Sequence, residues 1–169
     1  MIGYVVEYRI PGWIRVNDTP VTEAQLIVQH LTPSTEYEFR VAAVNEAGMS
    51  DFSQVLSKIM TVGKPGIPDL PEVVSVTGTS VCLQWKAPTT NIEAPITQYI
   101  VVFRTLDKAE NITVKGDTIS YTIRKKLQAH TKYRFAVMAV NKKGEGPLSD
   151  MTEEVTTFSG TLNIYHPAA

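Results

Sequence analysis

The sequence predicts an all-β chain made of two copies of one small two-layered sandwich, the first copy lacking its N-terminal strands. Three observations lead there. Apolar residues alternate with period two: Tyr99, Val101 and Phe103 interleave with Ile100, Val102 and Arg104, and the run from Lys132 to Val137 puts charge on one face and bulk on the other. Turn-rich stretches such as Ala87-Pro88-Thr89-Thr90-Asn91 and Asn141-Lys142-Lys143-Gly144-Glu145-Gly146-Pro147 punctuate these runs, and no segment carries a sustained helical stripe. The string from Leu31 to Asn45 recurs from Leu127 to Asn141 at an offset of 96, and Tyr4 to Arg9 recurs over Tyr99 to Arg104 at an offset of 95. A period near 95 suits one small β-domain per unit and is too long for a helical solenoid repeat.

The elements follow in order. The chain opens inside a strand, Tyr4-Val5-Val6-Glu7-Tyr8-Arg9; a further strand is expected near 24–30, and another over Tyr37 to Asn45. Residues 1–62 form the C-terminal part of a domain on this reading, with one sheet and a single strand of the other. Val62-Gly63-Lys64-Pro65-Gly66-Ile67-Pro68-Asp69-Leu70-Pro71 spaces three prolines at every third position, so 63–71 reads as a short, semi-rigid connector. Residues 72–158 form a complete domain, with strands near 72–77, 80–86, 97–105, 111–115, 118–124, 132–140 and 152–158. Residues 159–169 are read as a tail with a frayed end.

The 169 residues carry 17 acidic and 16 basic side chains, a net charge of −1, which offers no global attraction to nucleic acid or anionic lipid. A 43% hydrophobic and 20% charged composition is that of a globular protein and excludes wholesale disorder. Cys82 stands alone and forms no intramolecular disulfide, so packing must hold the core. The longest apolar runs, Tyr99 to Phe103 and Phe135 to Val140, are too short to span a bilayer, and Met1-Ile2-Gly3-Tyr4 does not open like a signal peptide.

Taken together, Trp85 in Ser80-Val81-Cys82-Leu83-Gln84-Trp85, then Pro88, Pro95-Ile96 and Tyr99, then Leu127 six residues before Tyr133, and the Tyr-x-Phe-x-Val-x-Ala-x-Asn-x-x-Gly run from Tyr133 to Gly144 resemble tandem fibronectin type III domains. The resemblance implies a structural core of Trp85, Tyr99, Leu127, Tyr133 and Phe135, with Leu31, Tyr37 and Phe39 in the first copy. It also implies a tyrosine corner at Tyr37 and Tyr133, each ring buried and each hydroxyl bonded to backbone a few residues upstream. Trp85 offers a large surface between two sheets, and its truncation to alanine should cost about 3–5 kcal/mol. Gly48 and Gly144 suit a positive-φ position.

Gly3-Tyr4-Val5-Val6-Glu7-Tyr8-Arg9, Trp13-Ile14-Arg15-Val16-Asn17 and the Lys64-Pro65-Gly66-Ile67-Pro68 junction are similar to the titin, twitchin and myosin-binding protein C group of giant muscle proteins. Neural adhesion receptors and receptor phosphatases carry similar strings. In the second copy Asn91-Ile92-Glu93-Ala94 stands where that muscle group usually has an acidic residue with two glycines. The resemblance implies a non-catalytic structural and protein-binding segment of a cytoplasmic sarcomeric or cytoskeletal protein. The alternative is a piece of a cell-surface adhesion or signalling ectodomain.

The first copy has no counterpart of Trp85 or of the strands near 72–77 and 80–86, as expected of a fragment, an isoform or an incomplete gene reading. About five inward side chains are lacking, worth roughly 8–15 kcal/mol, comparable to the whole net stability of a small domain. Residues 1–62 are therefore not expected to fold stably alone.

No catalytic, cofactor, metal or small-molecule site is expected. Cys82 in an alternating strand beside Trp85 reads as a buried structural thiol. His30, His130 and His166 have no zinc-like spacing, and no nucleophile elbow or phosphate loop occurs. Asn17-Asp18-Thr19 and Asn111-Ile112-Thr113 are glycosylation triplets, and no arginine-glycine-aspartate triplet occurs. Residues 1–62 hold four basic and seven acidic side chains, giving −3, and residues 63–169 hold twelve and ten, giving +2. Glu36, Glu38 and Glu46 correspond to Lys132, Arg134 and Lys142, and Arg124, Lys125 and Lys126 extend the basic stretch. That stretch is either a solvated face or an electrostatic docking surface for an acidic protein partner.

Overall fold

The computed structural model describes residues 1–159, which fall into two compact units, Met1–Val62 and the chain from Gly63 onward. Both units are all-β. Among the described residues there is no helix.

Unit one is a single antiparallel sheet of β1 (Gly3–Arg9), β2 (Trp13–Arg15), β3 (Glu36–Asn45), β4 (Gly48–Met49) and β5 (Leu56–Met60), in the order β2-β1-β3-β4 with β5 also pairing β3. The strand expected near 24–30 does not form. These residues have no hydrogen-bonded strand neighbour among the described residues, so an extended segment there has no ladder to join. The consequence shows in burial. On β1 the residues Gly3, Val5 and Glu7 are buried, while Tyr4, Val6 and Tyr8 stay half-exposed. Leu31 and Phe39, expected in the core, are likewise only half-buried, because no second sheet covers them.

The opposite face of this sheet is closed by its own side chains. The Arg40 guanidinium lies between the Trp13 and Phe52 rings, 4.0 and 3.9 Å from their centroids, and its Nη2 donates to Glu7 Oε2 at 2.6 Å. Planar guanidinium on aromatic faces, with a carboxylate at the edge, is a favourable way to cover a sheet with polar atoms. It explains why Val5, Glu7 and Ala42 are inaccessible.

Unit two is a two-layered sandwich. Its elements are β6 (Glu72–Val76), β7 (Ser80–Gln84), β8 (Gln98–Arg104), β9 (Ala109–Lys115), β10 (Ser120–Arg124), β11 (Lys132–Asn141), β12 (Gly144–Leu148) and β13 (Val155–Thr156). One layer has the order β10-β7-β6; the other has β12-β11-β8-β9, with β13 pairing the start of β11. Between them lies a core that includes Val76, Val81, Leu83, Trp85, Tyr99, Val101, Ile123, Leu127, Phe135 and Val137. The Trp85 indole meets the Tyr99 ring edge-on, with centroids 5.5 Å apart.

Two sequence expectations need correction here. The stretch from Asn141 to Pro147 is not all turn: the chain reverses tightly and continues as β12, an edge strand where Gly146 and Pro147 are tolerated. Cys82 is not buried. Val81 and Leu83 take the inner face of β7, so Cys82 faces outward, half-exposed, with its Sγ 3.9 Å from Ser120 Oγ.

The Pro/Gly segment belongs physically to unit two. Asn141 Nδ2 donates to the Gly63 carbonyl at 2.8 Å, Gly66 N–H donates to the Thr90 carbonyl at 3.1 Å, and Pro65, Gly66 and Pro68 are buried. A Cβ at Gly66 would lie 2.1 Å from Thr90 Oγ1 and 2.7 Å from the Thr90 carbonyl oxygen, so this close approach requires glycine. The expected tail beyond Ser159 lies outside the described residues.

Candidate functional site

Both tyrosine hydroxyls accept a backbone hydrogen bond from five residues upstream. Thr32 N–H donates to Tyr37 Oη at 2.8 Å, and Gln128 N–H donates to Tyr133 Oη at 3.0 Å. The two rings are 2% and 6% exposed. These groups are architectural, and they set the direction of β3 and β11, the strands that carry the charged faces.

On β11 alternation sends Tyr133 and Phe135 inward and Lys132 and Arg134 outward. The antiparallel register with β8 places Arg134 directly opposite Arg104. Like charges facing each other across a ladder repel. Neither arginine has an ion pair among the described residues. Arg104, Lys108, Lys132 and Arg134 line one groove of about 450 Å³, together with Glu154. Lys132 Nζ sits 2.6 Å from Glu154 Oε1, and Lys108 pairs with Glu110, so these two cations are locally compensated. The Lys108–Glu110 pair holds the carboxyl of Glu110 below its usual range, chiefly through the hydrogen bond from Lys108.

The basic residues expected to act together are only partly brought together. Lys132 and Arg134 share the groove, whereas Lys126 is not part of its lining. Arg124 ends β10 opposite Ser80 in the other layer, and Lys125 follows it at φ 62°. Lys142 sits in the β11–β12 turn, about 30 Å along the strand from Lys132. Sequence reasoning missed Arg104 and Lys108. The period-two alternation over Tyr99 to Arg104 put Arg104 on the outer face, but only the strand register reveals that it faces Arg134.

The two glycosylation triplets differ in kind. Asn17 is a clamp: its Oδ1 accepts from Val6 N–H at 2.9 Å, and its Nδ2 donates to the Tyr4 and Thr19 carbonyls at 2.9 and 2.8 Å. Both amide hydrogens are engaged, which leaves no free nitrogen for a sugar. Asn111 is exposed on β9.

A sequence profile described as "Fibronectin type III domain" matches residues 1–59 and 66–155. The chain is 36% identical to myomesin-2 of Homo sapiens, across 92% of this chain and 11% of that protein. It is 34% identical to the M-protein of striated muscle of Gallus gallus, across 98% and 12%. The chain thus spans about one ninth of the length of these curated relatives. Among solved structures, domains A168–A170 from titin align with a TM-score of 0.57 at 21% identity, over 92% of this chain and 55% of that one, a likeness of fold.

Proposed function

The chain belongs to the fibronectin type III family, and from that premise we propose that it is a non-catalytic structural and protein-binding segment of a titin-like sarcomeric or cytoskeletal protein. Residues 1–62 are the C-terminal part of one such domain, and residues 72–158 are an entire one joined to it by 63–71. Its muscle relatives support the setting. The observation that carries the binding role is the Arg104–Arg134 pair, two exposed guanidinium groups held opposite each other without acidic partners among the described residues. A carboxylate-bearing partner seated across them relieves the repulsion and gains bidentate hydrogen bonds.

Polyglutamate serves as a defined acidic probe. Unit two should bind it in a salt-dependent manner, and reversing Arg104→Glu together with Arg134→Glu should weaken binding at low salt at least tenfold. Lys142→Glu, at the far end of β11, should change it much less. Equal binding by all three proteins overturns the role of this face. A second reading, an extracellular receptor segment, is favoured by the exposed acceptor Asn111. Glycosidase treatment of the native protein separates the two: an unchanged mass supports the cytoplasmic reading, and a loss of mass supports the ectodomain.

A further inference from the structure

The outer sheet faces of the two units differ at matching positions. At the repeat offsets of 95 and 96, Arg9 corresponds to Arg104, Glu38 to Arg134, Arg40 to Ala136 and Phe52 to Leu148. Strand register adds one more correspondence. Trp13 lies opposite Arg9 and Ala109 lies opposite Arg104, so Ala109 stands where unit one has Trp13.

In unit one the arginine is answered from both neighbouring strands. Arg9 forms an ion pair with Glu38 of β3, and its guanidinium lies 4.7 Å from the centroid of the Trp13 ring of β2. In unit two the same position has neither contact. Arg104 faces a second cation, Arg134, on β11, and an exposed methyl group, Ala109, on β9. Among the described residues neither Arg104 nor Arg134 has an ion pair or lies over an aromatic ring. The stack that closes unit one, Arg40 between Trp13 and Phe52, is replaced here by Ala136, Ala109 and Leu148.

The groove of about 450 Å³ opens at this place, and Ala109, Arg104 and Arg134 all line it. Four cations and two acids, Asp107 and Glu154, surround it, so it keeps a surplus of positive charge. Leu106, 97% exposed in the β8–β9 turn, gives the groove an apolar edge. What unit one supplies to itself, unit two leaves to a partner: a carboxylate between the two arginines and a ring over Ala109. Neighbouring strands lie about 4.8 Å apart, so these two places are about 7 Å apart across the sheet. That is about the spacing of alternate residues on one side of an extended chain.

We propose that this end of the outer sheet face of unit two binds an extended segment of another protein in which a carboxylate and an aromatic ring stand two residues apart. The carboxylate bridges Arg104 and Arg134, and the ring fills the slot over Ala109 and stacks on the Arg104 guanidinium. This inference rests on the acidic-partner reading of the same groove and names the chemistry of that partner.

The test uses the full chain and synthetic peptides set in a glycine-serine frame, titrated by calorimetry. A glutamate-serine-tryptophan peptide should bind about tenfold more tightly than glutamate-serine-serine. It should also bind several-fold more tightly than glutamate-tryptophan-serine, which sends the ring to the opposite side of the strand. In the protein, Ala109→Trp fills the slot and should abolish the preference for tryptophan while polyglutamate still binds. Ala109→Ser leaves the slot open and should retain the preference. A native chain without that preference, or a preference that survives Ala109→Trp, overturns the inference, and polyglutamate binding then leaves the acidic-partner reading standing. Loss of binding to every peptide and to polyglutamate overturns both. Self-association of the native chain in sedimentation, abolished by Ala109→Trp, also overturns the inference, because the face then belongs to a second copy.

Discussion

Tyr99 and Trp85 show how much one buried ring controls. Tyr99 is 1% exposed, and burial pushes its hydroxyl above the ordinary tyrosine value of about 10. A group whose pKa is higher in the folded state stabilises fully below its unfolded pKa and loses that contribution as pH rises. Unit two should therefore lose stability above about pH 10, and Tyr99→Phe should flatten that alkaline decline in thermal melts measured from pH 8 to 11. Trp85 has a different weakness: its buried Nε1–H has no hydrogen-bond partner among the described residues. Trp85→Ala empties the space between the layers and should cost about 3–5 kcal/mol in urea unfolding. Trp85→Phe should cost less, because it keeps a ring against Tyr99 and removes an unpaired donor.

At the scale of elements, the strap from Gly63 to Pro68 carries a prediction of its own. Gly66 is held against Thr90 by a backbone hydrogen bond, at a distance that leaves no room for a Cβ. Gly66→Ala should destabilise unit two by about 1–3 kcal/mol in urea unfolding. Adding Thr90→Gly should recover only part of that loss, since the carbonyl oxygen stays in place. Alternation along β11 was legible in the sequence, because period two follows from strand geometry alone. The pairing of Arg134 with Arg104 was not, because register depends on how two distant strands meet. The same reason hid β12: glycine and proline mark turns in a sequence, yet an edge strand accepts both.

Across the whole molecule the two units should differ in stability. Unit two closes its core between two layers, whereas unit one has one sheet and an open apolar face. Each unit holds one tryptophan, Trp13 or Trp85. With Trp85→Phe, fluorescence should report unit one melting at low urea; with Trp13→Phe, it should report unit two at a distinctly higher concentration. Coincident transitions would contradict this difference, as would equal exchange protection of β1 and β8.

The amino-acid order alone determined the all-β class, the repeat near 95 residues and the inward alternation of Tyr99, Tyr133 and Phe135 in unit two. All of these are periodic or compositional, and strand geometry converts them directly into faces. Only the folded chain decided that residues 24–30 remain unpaired, that Cys82 faces outward beside Ser120, that Arg104 lies opposite Arg134, and that Arg40 closes a sheet between Trp13 and Phe52. Those outcomes depend on contacts between residues far apart in the chain, where register, a missing partner or a stacked ring sets the result and local pattern carries no record of it.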